Sequence, residues 1–184
     1  MKVLVVVDMQ NDFVYDALGT EEARAIVPKV VEKVCEYKKN GARIIFTQDT
    51  HDKDFYLKSQ EGRNLPVEHC IKRTKGWEII PELKDIFEIV CGIEKNTFGS
   101  EELAEVLGEW YYYDTPLGED FEVIFCGVCT DICVISNILV TKACCPEIPI
   151  TVDASCCAGV TPEKHKAALE VMRSCQINVI NEEE

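Results

Sequence analysis

The stretch FEVIFCGVCTDICV, residues 121–134, decides the fold. Residues 121–126, apolar and strand-forming apart from Glu122, end at Gly127. A helical pattern then begins near Asp131 and runs to about Ala143. A continuous apolar strand that passes through a glycine into a helix belongs to a parallel sheet covered on both faces, because a sheet with one wet face would alternate apolar with polar. The same stretch raises a chemical question: Cys129 and Cys133 stand four residues apart. They could be a disulfide half-pair, a metal clip, two packing thiols, or one nucleophile beside a bystander.

The rest of the chain repeats the pattern. KVLVVV (2–7) reads as a buried strand. Val27, Val30, Val31 and Val34 have helical spacing, with Pro28 tolerated near the helix start and Asn40-Gly41 at its end. ARIIFTQ (42–48) is a second strand, followed by a long polar loop over 49–76. FEIVCGI (87–93) is a third strand, and Ser100 opens a short helix with Glu101 and Glu102 in its first turn. After the central stretch come a fifth strand, IPITV (148–152), a helix opened by Thr161-Pro162-Glu163, and a sixth strand, INVI (177–180). Glu182, Glu183 and Glu184 form a solvated tail. The sequence thus predicts an α/β protein, a three-layer α/β/α sandwich with a mostly parallel central sheet. No internal repeat or linker divides it, so residues 1–184 form one domain.

Composition narrows the function. A formal charge of −14 disfavours nucleic acid and anionic membrane surfaces as partners. Eleven cysteines would suggest a disulfide scaffold in a short secreted chain, but the number is odd. The opening MKVLVVVDMQ is too short for a signal peptide or a membrane span. The chain reads as a reduced, cytoplasmic protein. Cys144-Cys145 and Cys156-Cys157 read as small core or helix fillers.

In open parallel sheets, ligands bind beyond the carboxyl ends of the strands. The first strand delivers Asp8 there; the second delivers Asp49 and His51; the third, Glu94 and Lys95; the fourth, Cys129 and Cys133. Cys133 falls in the first turn of its helix, where the peptide dipoles favour a thiolate and free N–H groups can hold an oxyanion. A nearby Lys95 would lower the thiol pKa further. The alternative is a buried, inert helix cysteine. Asp8, at the end of an apolar strand, needs a partner, either as a structural ion pair or as a general base for the thiol. Asp49, His51 and a distant His69 supply three N/O ligands for Zn²⁺, Fe²⁺ or Mn²⁺, with Glu61 as a fourth oxygen. Two surface histidines in a polar loop are the alternative. His165 has no evident role.

Five segments together, VVVDMQNDF (5–13), TQDTH (47–51), LPVEHC (65–70), EKNTF (94–98) and GVCTDICV (127–134), resemble the isochorismatase-like cysteine hydrolases and, within them, the nicotinamidases. The resemblance covers essentially the whole chain and keeps the family's motif order. It implies an Asp8–Lys95–Cys133 triad with Cys133 as nucleophile, and a cis peptide at Val128-Cys129. It further implies an oxyanion hole from the Cys129 and Cys133 N–H groups. It also implies a divalent metal, zinc first and iron or manganese as alternatives, on Asp49, His51, His69 and Glu61, with Phe13 and Phe98 walling the ring of a small carboxamide such as nicotinamide. Family members commonly self-associate, so a homo-oligomer is expected. One departure is visible: HCIKRTKGW (69–77) carries Arg73 before Thr74, where the family often has Gly-Thr. Two other readings stand beside an amidohydrolase of this kind. One is a related hydrolase of carbamoyl, ureido or vinyl-ether compounds; the other is a non-enzymatic binding subunit.

Overall fold

A computed structural model of the chain describes residues 1–115 and 120–182; the predicted tail residues Glu183 and Glu184 lie outside them. Six strands form one sheet: β1 (Lys2–Val7), β2 (Arg43–Asp49), β3 (Cys91–Lys95), β4 (Glu122–Val128), β5 (Ile150–Ala158) and β6 (Asn178–Ile180). All neighbours pair in parallel, in the order β3-β2-β1-β4-β5-β6. Val3 to Val7 are wholly buried, so the unbroken apolar run of β1 reports a strand covered on both faces.

The helices are α1 (Asn11–Val14), α2 (Glu21–Lys39), α3 (Gln60–Asn64), α4 (Pro81–Phe87), α5 (Glu101–Glu109), α6 (Ile135–Cys144) and α7 (Pro162–Ser174). The strand order runs outward in both directions from the β1–β4 pair. Right-handed crossovers then place α2 and α4 on one face and α6 and α7 on the other, giving the three layers α/β/α. The caps follow from sequence: the hydroxyls of Thr20, Ser100 and Thr161 accept hydrogen bonds from Ala23, Leu103 and Lys164. Ala23, Ile26, Val27, Val30 and Val34 are the buried stripe of α2. Among the described residues, no helix is long and apolar enough to cross a membrane.

Four sequence expectations are corrected. The third strand starts later than 87, because Phe87 ends α4 and lays its ring against Phe46, centroids 5.6 Å apart. α2 begins at Glu21, so Pro28 sits inside the helix rather than near its start. β5 extends to Ala158, past the apolar run, because its buried Asp153 is paired with Lys33 of α2 at 2.7 Å. The polar loop 49–76 holds a short 3₁₀ turn (Tyr56–Lys58) and α3.

Candidate active site

The strand order reverses between β1 and β4, and the crevice beyond their carboxyl ends is where an open α/β sheet exposes backbone and side chains to a ligand. Val7 lies level with Gly127, which brings the end of β4 hard against β1. Gly127 has φ of 116°, and a Cβ there would lie 2.1 Å from the Val7 carbonyl oxygen. Only glycine fits this approach. The Val128-Cys129 peptide that follows is cis, as the resemblance implies. The wide helical turn Thr130–Val134 then carries Cys133 into the crevice, ahead of α6.

Asp8, with φ of 48°, turns out of β1 directly beneath this turn. Its Oδ1 accepts a 2.6 Å hydrogen bond from the Thr47 hydroxyl. Lys95, the last residue of β3, reaches past β2 to place Nζ 2.7 Å from Asp8 Oδ2, 3.8 Å from Asp49 Oδ1 and 3.5 Å from Cys133 Sγ. The Lys95 approach to Oδ2 is an ion-pair contact off the line of a good hydrogen bond, so that this buried oxygen has a lone pair to spare for a proton. All three side chains are buried.

Their titration follows from that burial. Asp8 is raised by desolvation, opposed by Lys95 and reinforced by Asp49. Lys95 is held charged: burial acts to neutralise it, but Asp8, Cys133 and Asp49 outweigh burial. The Cys133 thiol is pushed well above its ordinary value by burial and then by Asp8, with Lys95 only partly compensating. Lys95 does lower the thiol, as expected, but the net shift is upward rather than downward. Loss of water and a carboxylate outweigh the ammonium. Burial and the neighbouring carboxylate thus favour the thiol over the thiolate.

Beside this cluster, Asp49, His51, Glu61 and His69 bring one ligand atom each within 4.8 Å of one another. Asp49 Oδ2 lies 2.9 Å from His51 Nε2 and 3.5 Å from His69 Nε2; Glu61 Oε1 lies 3.8 and 3.6 Å from the same nitrogens. The buried His51 Nε2 is close to Asp49 yet makes no aligned hydrogen bond with it. Nitrogen and oxygen point at a common centre rather than at each other, as ligands of one ion do. The His69 Nδ1 contact with the Val67 carbonyl, 2.9 Å, leaves Nε2 free as a donor to that centre. The donor set thus fits a divalent cation that accepts N/O ligands. Burial acts against the charged form of both partners here, but Asp49 is driven down by the two histidines and Lys95. His69 is raised to about 10 by Asp49 and Glu61.

A cavity of about 670 Å³ opens onto both clusters, lined by Phe13, Asp49, Glu61, His69, Cys129 and Cys133. Phe13 packs against His69 with centroids 5.4 Å apart, while Phe98 stands at the rim, 47% exposed. Asp49, Glu61, His69, Cys129 and Cys133 thus border one cavity with the two phenylalanines, and Asp8, Lys95 and His51 touch them from behind; Glu94 instead pairs with Lys72 at the surface. Arg73 adopts φ of 68°, so the loop keeps a left-handed turn without the glycine common in the family.

Sequence reasoning missed the residues that hold these groups. Gln10 accepts from the Asp49 N–H (2.7 Å) and donates to the Asp49 and Trp77 carbonyls (2.8 Å each). Asp12 accepts from the Cys70 N–H at 2.7 Å, fixing the backbone next to His69. The buried Asn137 amide donates to the carbonyls of Cys133 (2.8 Å) and Phe98 (3.2 Å) and accepts from the Ser100 N–H. Gln10 and Asp12 lie within the VVVDMQNDF segment, which was their one signal; Asn137 had none.

The family profile of the isochorismatase domain matches residues 2–184, and the chain belongs to that family. It is 27% identical to a nicotinamidase of Schizosaccharomyces pombe, over 98% of this chain and 93% of the relative. A nicotinamidase/pyrazinamidase of Bacillus subtilis superposes with a TM-score of 0.82 at 27% identity, covering 98% of this chain and 99% of the other. A pyrazinamidase of Pyrococcus horikoshii, solved in complex with zinc, does so with a TM-score of 0.77 at 28% identity and the same coverage. Fold, family and relatives define an amidohydrolase of the isochorismatase-like class.

Proposed function

We propose that the protein hydrolyses nicotinamide to nicotinate and ammonia, with Asp8, Lys95 and Cys133 as its catalytic residues. The observation that carries this reading is Lys95 Nζ in contact with both Asp8 Oδ2 and Cys133 Sγ, beside a four-residue donor group on the same cavity. Asp8 takes the Cys133 proton as sulfur bonds to the carboxamide carbon. The backbone N–H groups of Cys129 and Cys133 take up the oxyanion. Asp8 returns its proton to the amide nitrogen as the C–N bond breaks and ammonia leaves, yielding a thioester. Water, deprotonated by Asp8, then releases the acid and restores the thiol. A raised Asp8 pKa suits a group that must both accept and give a proton near neutrality. Lys95 stays charged and balances the carboxylates.

Asp49, His51, His69 and Glu61 would hold a divalent metal, zinc in our reading, as in the Pyrococcus horikoshii relative. When bound, such an ion would supply a Lewis acid for a ring nitrogen, and Phe13 and Phe98 would wall the ring. This donor group favours a pyridine carboxamide over a carbamoyl or ureido substrate, neither of which carries a ring nitrogen. Ammonia release from nicotinamide, benzamide and a carbamoyl amino acid, with and without chelator, tests the reading. Chelator-sensitive turnover of nicotinamide, with benzamide far slower, is expected. Turnover of the carbamoyl compound with none of nicotinamide would refute it.

A further inference from the structure

The turn that carries Cys133 is held from its far side by α7, through groups outside the triad and the metal ligands. Thr130 is wholly buried, one residue after Cys129 and three before Cys133. Among the described residues its hydroxyl has one hydrogen-bond partner, Nδ1 of His165 in the first turn of α7, at 2.8 Å. A second bond runs beside it, from the Val160 N–H to Asp131 Oδ1 at 2.9 Å. The two segments touch so closely that a Cβ on Gly159 would lie 2.9 Å from Asp131 Oδ1 and 2.8 Å from the backbone nitrogen of His165. Within the turn, the N–H groups of Ile132 and Val134 both bond the Cys129 carbonyl at 3.0 Å, so the position of Thr130 fixes that of its neighbours.

We propose that His165 is a positioning residue, whose neutral imidazole accepts the Thr130 hydroxyl and thereby sets the turn that presents the Cys129 N–H and the Cys133 thiol. The proposal rests on the hydrolase reading of Cys133 but not on which amide is the substrate. Burial favours the neutral ring, with Lys166 adding to that effect and Glu182 and Asp131 opposing it. With the ring proton on Nε2, Nδ1 is an acceptor and the Thr130 hydroxyl its donor. A buried hydroxyl stripped of this acceptor is left unsatisfied and lets the turn drift, and a small misplacement of reacting groups acts on the chemical step before it acts on binding.

The test uses whichever amide the intact protein hydrolyses best. Thr130→Val, which keeps the shape and removes the hydroxyl, and His165→Leu should each lower kcat about tenfold and leave KM within about twofold. The double variant should fall no further than either single one. His165→Asn places an acceptor oxygen where Nδ1 stood and should recover most of the lost kcat. Thr130→Val should also shift the His165 ring ¹⁵N signals, a readout that needs no turnover and so survives failure of the substrate assignment. An unchanged kcat in Thr130→Val, Asn performing no better than Leu, or additive single effects would overturn the proposal. So would a lower melting temperature with kcat intact.

Discussion

Asp8 and Asp49 stand at the ends of neighbouring parallel strands, both buried, and burial raises the pKa of each. Asp8 nonetheless ends above its ordinary range and Asp49 below it. The difference is company. Asp8 faces one ammonium, a thiol and a hydroxyl. Asp49 faces two imidazoles as well as the same ammonium. One strand end is thereby suited to exchange a proton, the other to remain a ligand. Topology supplies the carboxylates, and the loop after β2, bringing His51 and His69 back over the strand end, decides which does what.

The largest expected effects fall on the Asp8 side. Cys133→Ala and Asp8→Asn should each cut ammonia release by about 10⁴-fold or more, while metal content measured by elemental analysis stays at the wild-type level. Loss of metal from either variant would show that the two halves are not separable.

Substitutions on the Asp49 side come next. His51→Ala should lower metal content and reduce kcat/KM for nicotinamide by at least about 10²-fold, yet leave Cys133 intact. Wild-type activity in a metal-free His51→Ala protein would remove the ion from the account.

The proton inventory gives a third test. Metal must displace the proton that Asp49 and Glu61 hold on His69, so metal uptake near neutral pH should release protons and weaken as pH falls. The metal-free protein carries the converse sign. His69 has a folded pKa of about 10 against an ordinary 6.5, so its contribution to stability is complete below about 6.5 and is lost as pH rises toward 10. Thermal melts of the metal-free wild type should decline through that window relative to His69→Gln; parallel curves would refute the raised value.

The smallest effects belong to the supporting groups. Gln10→Ala should weaken metal affinity about 10–100-fold, read by competition with a chromophoric chelator. Thr47→Val removes a donor to the Asp8 carboxylate and should move the acid limb of kcat/KM upward, by less than about one pH unit, without altering the plateau by more than about twofold. A downward shift would contradict the assignment of that limb to Asp8.

Much of this was legible in the residues. Continuous apolar runs marked β1, β2 and β4, and their polar terminators are the residues that meet in the crevice. The third strand was misplaced because Phe87 and Val90 extend its apolar run backwards, while the helix start at Ile80-Pro81 has no hydroxyl cap to announce it. Gly92 faces the Phe87 ring, a contact between the last helical residue and the strand that periodicity does not show. β5 was cut short at Asp153, whose partner Lys33 lies far away in sequence. The sign of the Cys133 shift was missed for the same reason. The helix start is a local signal, whereas burial and the approaches of Asp8 and Lys95 are products of the sheet order, and it is their balance that sets the sign.

The most direct test of the account is to map the acyl group during turnover. Acid-quenched protein, digested after mixing with nicotinamide, should show the nicotinoyl mass on the peptide containing Cys133 and nowhere else, and the adduct should be absent from Cys133→Ala. An adduct on another cysteine, or ammonia release at the wild-type rate by Cys133→Ala, would contradict it.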